Sequence, residues 1–194
     1  MEIGATKAVQ DRLKTTKIEE SKGASLVFCW DTHLTKIKGR NVLFIVNASN
    51  RYTIAMTDIE QGNWKYYIMY ISRVIYVVMQ EMGYSEDQIG QYFKMSGDTT
   101  VTKTHGRKSV GGINRMVMDA QYFGKKLEKE AKYQWELSEY LNRDICQPEG
   151  FDAYGYPSEL FKLDMERLGI AAKRKPAKII DFTKYIDTNR STNH

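Results

Sequence analysis

The chain is poor in cysteine and histidine, and each scarcity excludes a class of protein. Its 194 residues include two cysteines, Cys29 and Cys146, which are too few for a disulfide framework. Lone thiols are typical of a reducing compartment, so the sequence predicts a cytoplasmic protein. The three histidines form no His-x-x-x-His spacing, the cysteines form no Cys-x-x-Cys spacing and no glycine-rich phosphate loop is present. The pattern therefore predicts no metal site and no cofactor.

Long hydrophobic runs are absent as well. The nearest is residues 64–82, where charged side chains such as Lys65, Arg73 and Glu81 interrupt the apolar residues. A membrane-spanning helix needs about 20 consecutive apolar residues. The N-terminus also lacks the apolar core of a signal sequence. We therefore expect no membrane partner.

Cations, by contrast, are numerous and clustered. The formal net charge is +5, and residues 103–126 hold six Lys and Arg against one acid, Asp119. A hydrophobic share of 42% and an aromatic share of 12% indicate a packed core rather than a disordered chain. A folded domain with a basic segment is compatible with a nucleic-acid partner.

Residues 25–57 carry the clearest structural pattern, because they alternate in polarity and are rich in β-branched side chains. The pattern predicts three strands, joined by a tight turn at Gly39-Arg40 and a second turn over residues 47–51. Two more strands are predicted, an edge strand at residues 1–5 and a strand at residues 99–105. Together these segments indicate a sheet of about five strands.

Helical patterns follow the strands. Apolar residues recur at three- and four-residue spacing over 64–82, a shorter helix is predicted from Ser85, and another covers 109–123. The order of elements predicts an α+β fold, in which an antiparallel sheet of about five strands packs on two main helices.

The helical stripe continues as far as residue 145 and predicts a separate C-terminal region. Unbroken, the stripe would span ~48 Å, more than a domain of this size can cover, so we expect either a break near Gly124 or a second half that projects and packs elsewhere. We place a boundary at Gly124, with an α+β domain over 1–124 and a helical extension with a basic tail over 125–194. The stripe residues predicted to form a partner interface are Leu127, Ala131, Trp135, Leu141 and Ile145.

Three segments carry a family resemblance: MEIGATKAVQDRL, the strand run ending in VLFIVNASNRY, and TKTHGRKSVGGINRMVMDAQYF. They resemble a family of small bacterial and phage proteins catalogued as a domain of unknown function. Its members share a TKK-x-x-x-L start, a WHANL…RRK-x-VLLVN-x-x-x-Y block and a KT-x-x-RS-x-LG-x-(M/L)N block. The resemblance covers about residues 1–123. It implies a mobile-element setting and no established activity, cofactor or substrate.

The chain differs from this family's motifs at positions where a catalytic side chain could stand. Trp30 keeps its place, but the family's usual His falls on Asp31 and its usual Asn falls on His33. In the second block, Lys108 takes the Arg position and Gly111 the Leu position. If the family uses a histidine at position 31 for chemistry, this chain has lost it, which weakens a catalytic interpretation.

The junction between the 99–105 strand and the following helix is the strongest candidate binding site. Backbone N–H groups at a helix start attract anions, and Ser109 is predicted to cap this helix. The predicted nucleic-acid- or anion-binding residues are Lys103, Arg107, Lys108, Ser109 and Arg115. Tyr66 and Tyr70 on the 64–82 helix are candidates for stacking on a base, the alternative being a row of tyrosines at the edge of the core.

Three functional hypotheses follow from these patterns. The leading one is a non-enzymatic binding protein of mobile-element or phage character, which acts on nucleic acid or a protein–nucleic-acid complex, for example by inhibiting a host defence nuclease. The second is a metal-independent or metal-assisted hydrolase or nuclease that uses Asp31 and His33, which share one face of a strand. The third is a protein-binding module, antitoxin-like or homodimeric.

Overall fold

A computed structural model describes residues 1–14, 18–57, 59 and 61–172. Within them, the strands are β1 (Glu2–Ala5), β2 (Cys29–Ile37), β3 (Arg40–Asn47), β4 (Thr53–Thr57) and β5 (Thr100–Thr102). The helices are α1 (Lys7–Leu13), α2 (Tyr67–Glu81), α3 (Glu86–Ser96), α4 (Arg107–Gln121), α5 (Trp135–Asn142) and α6 (Pro157–Arg167). Short 3-10 helices cover Leu26–Phe28 and Gln61–Tyr66. The basic tail predicted beyond residue 172 lies outside the described residues.

The strands form one sheet in the order β4-β3-β2-β1-β5, so the predicted α+β class and strand number are confirmed. The sheet is mixed, however, and not antiparallel as the strand pattern predicted. Only the β2–β3–β4 meander is antiparallel, and β1 runs parallel to both β2 and β5. The chain leaves β1 through α1 rather than through a hairpin, and such a crossover brings a strand back in parallel. β1 therefore lies inside the sheet and is not the edge strand that was predicted.

Turn geometry sets the register of the meander. The β2–β3 turn uses positive φ angles at Lys38 (50°) and Gly39 (80°), one residue earlier than predicted. Two consecutive residues with positive φ are typical of the turns whose twist matches that of a hairpin. The resulting register places Asp31 beside Val46 and Thr32 beside Ile45. Since side chains alternate along a strand, each face of the sheet receives every second residue.

One face of the sheet packs on α2, α3 and α6. Its buried core includes Trp30 and Ile45 from the strands, Ile75 from α2, Tyr92 from α3 and Phe161 from α6. The predicted helical stripe over 64–82 is thus a core-facing helix. The prediction that Ser85 begins the next helix is also confirmed, because Ser85 and Gln88 form a reciprocal capping box.

The other face packs on α4 and α5. Its core joins Phe44 and Val46 to Ile113 of α4 and to Leu137 and Leu141 of α5. Of the two predicted alternatives for the helical stripe, the structure has the break near Gly124, since α4 ends at Gln121 and α5 begins at Trp135. Both α5 and α6 therefore contribute to cores built on the same sheet.

Residues 132–142 cover the β4 edge of the sheet. Thr57 N–H donates to Lys132 O at 2.7 Å, and Gln134 N–H donates to Ala55 O at 2.9 Å. The amide of Asn142 continues this pairing, accepting from Thr53 N–H at 2.8 Å and donating to Thr53 O at 2.7 Å. An uncovered edge strand is a template for pairing with other chains, and these bonds occupy it.

Among the described residues, no helix is both long and apolar enough to span a bilayer. The α2 helix, the most apolar candidate in the sequence, has 15 residues and carries Arg73 and Glu81. It packs on the sheet through Ile71, Ile75 and Val78.

Candidate functional site

A cleft of about 360 Å³ opens between α4, the β3–β4 turn and residues 147–149. Three cationic side chains line it, Arg51, Lys108 and Arg115, against one acidic side chain, Glu149. Two of these cations were predicted as anion-binding residues from the sequence. The structure adds Arg51, which lies far from Lys108 and Arg115 along the chain. The three cations together make the lining of the cleft basic.

Arg51 reaches the cleft because of the turn that joins β3 to β4. Its φ of 64° lies in the left-handed region, which a non-glycine residue adopts only when surrounding bonds hold it there. Asn47 Oδ1 accepts from Ser49 N–H at 3.0 Å and Asn50 N–H at 3.3 Å, and Arg51 N–H donates to Asn47 O at 2.9 Å. The Arg51 side chain lies against α4, since a Cβ added at Gly112 would come within 3.6 Å of Arg51 Cδ.

Two of the three cations that line the cleft form no ion pair within the described part of the chain. Arg115 Nε lies 3.2 Å from the Asp119 carboxylate, which offsets part of its charge. Neither Arg51 nor Lys108 forms an ion pair with any carboxylate in the described part of the chain. An anion that entered the cleft would therefore meet two cations that have no carboxylate partner among the described residues, although Arg51 also contacts the Cys146 thiol.

Ser109 does not cap α4 as predicted. The N-cap is Gly106, whose φ of 95° favours glycine, and no side chain caps the helix. Ser109 lies in the first helical turn and donates a short hydrogen bond to Asp31 Oδ2. The predicted cap is wrong because a buried carboxylate, unseen in the local sequence, competes for the hydroxyl.

Asp31 is fully buried behind the cleft and ties the β5–α4 loop to the sheet. Its carboxylate accepts from the backbone N–H of His105 at 3.2 Å, and its Oδ1 lies 2.7 Å from His105 Nδ1. The other ring nitrogen of His105 lies 3.0 Å from Glu2 Oε2. Glu2 in turn accepts from Ser21 Oγ at 2.6 Å and from Lys22 N–H at 2.8 Å. These bonds link β1, β2 and the start of α4 in one network.

The imidazole of His105 lies between two carboxylates and beside the thiol of Cys29. Burial lowers the pKa of His105, but hydrogen bonds to Asp31 and Cys29 outweigh this and raise it to about 10. Burial also opposes ionisation of Glu2, yet hydrogen bonds from Ser21, His105 and Lys22 lower its pKa below the ordinary value. Both shifts favour charged partners, as expected of a buried ion pair.

Position 4 must be a glycine because the Asp31 side chain occupies the space where a Cβ would stand. The β1–β2 register sets the two residues side by side, and a Cβ added at Gly4 would lie 1.8 Å from Asp31 Oδ1. The same Cβ would lie 3.0 Å from Thr104 Cα, so the β5–α4 loop also depends on this glycine. A side chain at position 4 would displace the carboxylate on which His105 and Ser109 depend.

Asp31 and His33 share a face of β2, but they bond to different partners. Asp31 bonds to His105 and Ser109, whereas His33 Nδ1 lies 3.2 Å from Thr6 Oγ1. Burial lowers the pKa of His33. In this arrangement Asp31 acts as a positioning residue for the β5–α4 loop.

The remaining predicted binding residues lie away from the cleft or at its margin. Lys103 forms an exposed ion pair with Glu20, and Arg107 is exposed at the start of α4. Tyr66 is 46% exposed, with Lys65 Nζ 4.7 Å from its ring centroid, and Tyr70 lies 5.8 Å from Lys132 Nζ. Tyr66 directly precedes α2 and Tyr70 lies on it, and α2 packs on the opposite face of the sheet from α4.

The predicted partner-interface residues divide into two groups. Leu127 and Leu141 are buried in the core against α4, whereas Trp135 and Ile145 are 44% and 55% exposed. Ala131 is half-buried, and its carbonyl accepts from Thr57 Oγ1 at 3.2 Å. The buried members therefore pack within this chain.

Four residues of the site were not predicted from the sequence: Glu2, Cys29, Arg51 and His105. Glu2 and Cys29 are brought together by parallel pairing of β1 and β2, which no local pattern predicts. Arg51 was assigned to a turn, and His105 to a strand end. The available signal was Gly4 in an otherwise ordinary strand, since glycine inside a strand marks a close approach.

Comparison with known proteins identifies a family but no function. A family model described as a domain of unknown function, DUF6933, matches residues 2–160. The resemblance drawn from the sequence motifs is confirmed, and the match extends beyond residue 123 through α5. No curated protein and no solved structure matches the chain.

Proposed function

The chain belongs to this family of domains of unknown function, and we propose that it binds the phosphate backbone of nucleic acid in the cleft lined by Arg51, Lys108 and Arg115. The main support is that these three cations, one from a turn and two from a helix, converge on one cleft of about 360 Å³. Lys and Arg side chains that neutralise phosphates supply most of the affinity of sequence-independent binding.

The types of side chain support phosphate as the recognised group. Arg51 and Arg115 offer planar guanidinium groups that can donate two parallel hydrogen bonds to phosphate oxygens, and Lys108 adds a point charge. Glu149 is the one acidic side chain among the residues that line the cleft.

The buried network behind the cleft supports binding rather than catalysis as the role of this face. Asp31 is 0% exposed and accepts hydrogen bonds from His105 and Ser109. Its bonds hold the first turn of α4, which carries Lys108. The network therefore sets the position of a cation at the cleft.

Charge removal in the cleft tests the proposal. Fluorescence anisotropy would measure affinity for a short labelled oligonucleotide, single-stranded and duplex, over a range of salt concentrations. The double variant Arg51→Gln, Lys108→Gln should bind more weakly and should lower the salt slope by about two charges' worth. The control is Lys7→Gln with Lys94→Gln, which removes the same charge from two exposed positions outside the cleft.

The proposal predicts a control that binds like the native protein. It fails if the native protein binds neither oligonucleotide, or if both double variants weaken binding equally. In the second case the net charge of +5 would account for binding without a defined site. Circular dichroism of each variant would show that the fold is kept.

The finer functional hypotheses stay predictions. They include a mobile-element or phage setting, inhibition of a defence nuclease, a cytoplasmic location and a homodimer. Light scattering of the full chain at high concentration would test the dimer. Hydrolysis of nucleic acid by the native protein, lost in both Asp31→Asn and His33→Ala, would favour the hydrolase hypothesis instead.

A further inference from the structure

Three groups of the kind that bind metals meet in the buried network. Glu2 lies on β1, Cys29 begins β2, and His105 lies in the β5–α4 loop, yet their donor atoms all lie within 4.8 Å of one another. The side chains of Glu2 and His105 are 5% and 3% exposed, and Cys29 is fully buried. Neither the network that ties down the loop nor the basic cleft requires a thiol at this position.

We propose that Glu2, Cys29 and His105 form a binding site for a zinc ion. A thiolate, an imidazole and a carboxylate are the three donor types that zinc takes in proteins, and zinc accepts three protein donors with water in the fourth position. Oxygen-selective cations such as Mg²⁺ and Ca²⁺ are disfavoured by the sulfur and nitrogen donors.

Asp31 orients the histidine for this role. Its Oδ1 lies 2.7 Å from His105 Nδ1, so the ring turns its other nitrogen, Nε2, toward Glu2 at 3.0 Å. Metal-binding histidines usually donate their second N–H to a carboxylate in this way, which fixes the tautomer and the ring orientation. The metal would enter between Nε2 and the Glu2 carboxylate.

Buried carboxylates lie on both sides of the histidine that would hold the ion. Glu2 Oε2 lies 3.0 Å from His105 Nε2 and Asp31 Oδ1 lies 2.7 Å from Nδ1, and both acidic side chains are buried. Zinc coordination requires deprotonated donor atoms, so bound zinc takes the place of protons in the site.

Strand pairing explains why no sequence motif marks the site. The β1–β2 register sets Glu2 directly beside Cys29, and β5 pairs with β1 on its other side, so that His105 follows within reach. The donors come from positions 2, 29 and 105, whereas recognisable zinc motifs place two ligands a few residues apart. Bound zinc would fasten the loop that positions Lys108 and Ser109.

Cobalt(II) is the probe, because it takes the coordination of zinc and gives a visible spectrum and a thiolate-to-cobalt absorption band. The native protein, stripped with a chelator, should bind one Co²⁺ with that band and lose it when Zn²⁺ is added. Cys146→Ser is the matched control, since Cys146 is also buried and lies outside the cluster. Asp31→Asn, which changes a residue behind the ligands, should weaken binding by roughly 10–100-fold.

Cys29→Ser should abolish the thiolate band while Cys146→Ser keeps it. The chain has two cysteines, so if Cys29→Ser fails to fold, persistence of the band in Cys146→Ser alone assigns the thiolate to Cys29. The proposal is overturned if the native protein binds no cobalt at one equivalent, if binding shows no thiolate band, or if Cys146→Ser removes it. None of these outcomes depends on nucleic-acid binding.

Discussion

The two faces of the sheet are built by different means. The face under α2, α3 and α6 is closed by large apolar and aromatic side chains, among them Trp30, Tyr92 and Phe161. The face under α4 also has an apolar core, but at its β1–β2 end it carries the Asp31–His105 network and beside that an open cleft. The first face supplies stability, and the second exposes and positions charged groups.

Phe161 illustrates the first face. Its ring centroid lies 5.3 Å from that of Tyr52, 6.1 Å from that of Trp30 and 6.5 Å from that of Tyr92, and the side chain is 1% exposed. Aromatic contacts of this kind add to the free energy of burial. Packed rings of this kind fill the space between the sheet and the helices α2, α3 and α6.

The second face shows what hydrogen bonds achieve instead. Buried polar networks contribute little net stability, but leaving one partner unpaired is costly, so they specify position. Here the specified positions belong to Lys108 and Ser109, at the wall of the cleft. The difference between the faces therefore predicts different responses to mutation.

The largest effect is expected from Phe161→Ala on the apolar face. Loss of a buried phenylalanine leaves a cavity, and we expect the free energy of unfolding to fall by about 3–5 kcal/mol. Urea denaturation followed by tryptophan fluorescence measures it. Tyr156→Ala, at a position 50% exposed, is the control and should change stability by less than about 0.5 kcal/mol. Equal effects would show that α6 does not belong to the core.

Gly4→Ala should have a smaller effect on stability but a distinct effect on the cleft. The added Cβ would lie 1.8 Å from Asp31 Oδ1, so the carboxylate must move and its bonds to His105 and Ser109 weaken. We expect a loss of about 1–3 kcal/mol and weaker oligonucleotide binding.

A matched glycine provides the control for Gly4. Gly90 lies on the exposed side of α3 with open space where a Cβ would stand. Gly90→Ala should stabilise the protein by about 0.5–1 kcal/mol, because alanine favours a helix. If Gly4→Ala were equally harmless, Asp31 would not position the β5–α4 loop as described.

The smallest effect concerns the pH dependence contributed by His33. Burial lowers the pKa of His33 below its ordinary value of 6.5, so the folded state favours the neutral ring. Its contribution to stability is complete above that value and is lost as the pH falls through the folded pKa. As the pH is lowered below about 6.5, the free energy of unfolding of the native protein should therefore fall relative to that of His33→Gln, both measured by urea denaturation. A constant difference would contradict the shift.

Local patterns predicted much of the fold. Alternation along residues 25–57 located the β2–β3–β4 meander, and three- and four-residue spacing located α2. The cap at Ser85 was also predictable, because its partner Gln88 lies three residues away. In each case the interacting groups are neighbours in the chain.

Features that depend on distant pairing could not be predicted in this way. Ser109 was expected to cap α4, but Asp31, 78 residues away, takes its hydroxyl. The antiparallel sheet was expected because hairpins are visible in sequence, whereas the parallel insertion of β1 is not. Lys108 and Arg115 were predicted as anion-binding residues, but their partner Arg51 required the β3–β4 turn to face α4.

The sequence by itself determined the elements, their order and the excess of positive charge. Periodicity and capping act over a few residues, and charge depends on composition alone. Only the tertiary structure decided which cations line the cleft and which potential metal-binding side chains meet behind it. The physical reason is that strand order and register join residues 2, 29, 31 and 105 through contacts between segments, and no local energy term encodes such contacts.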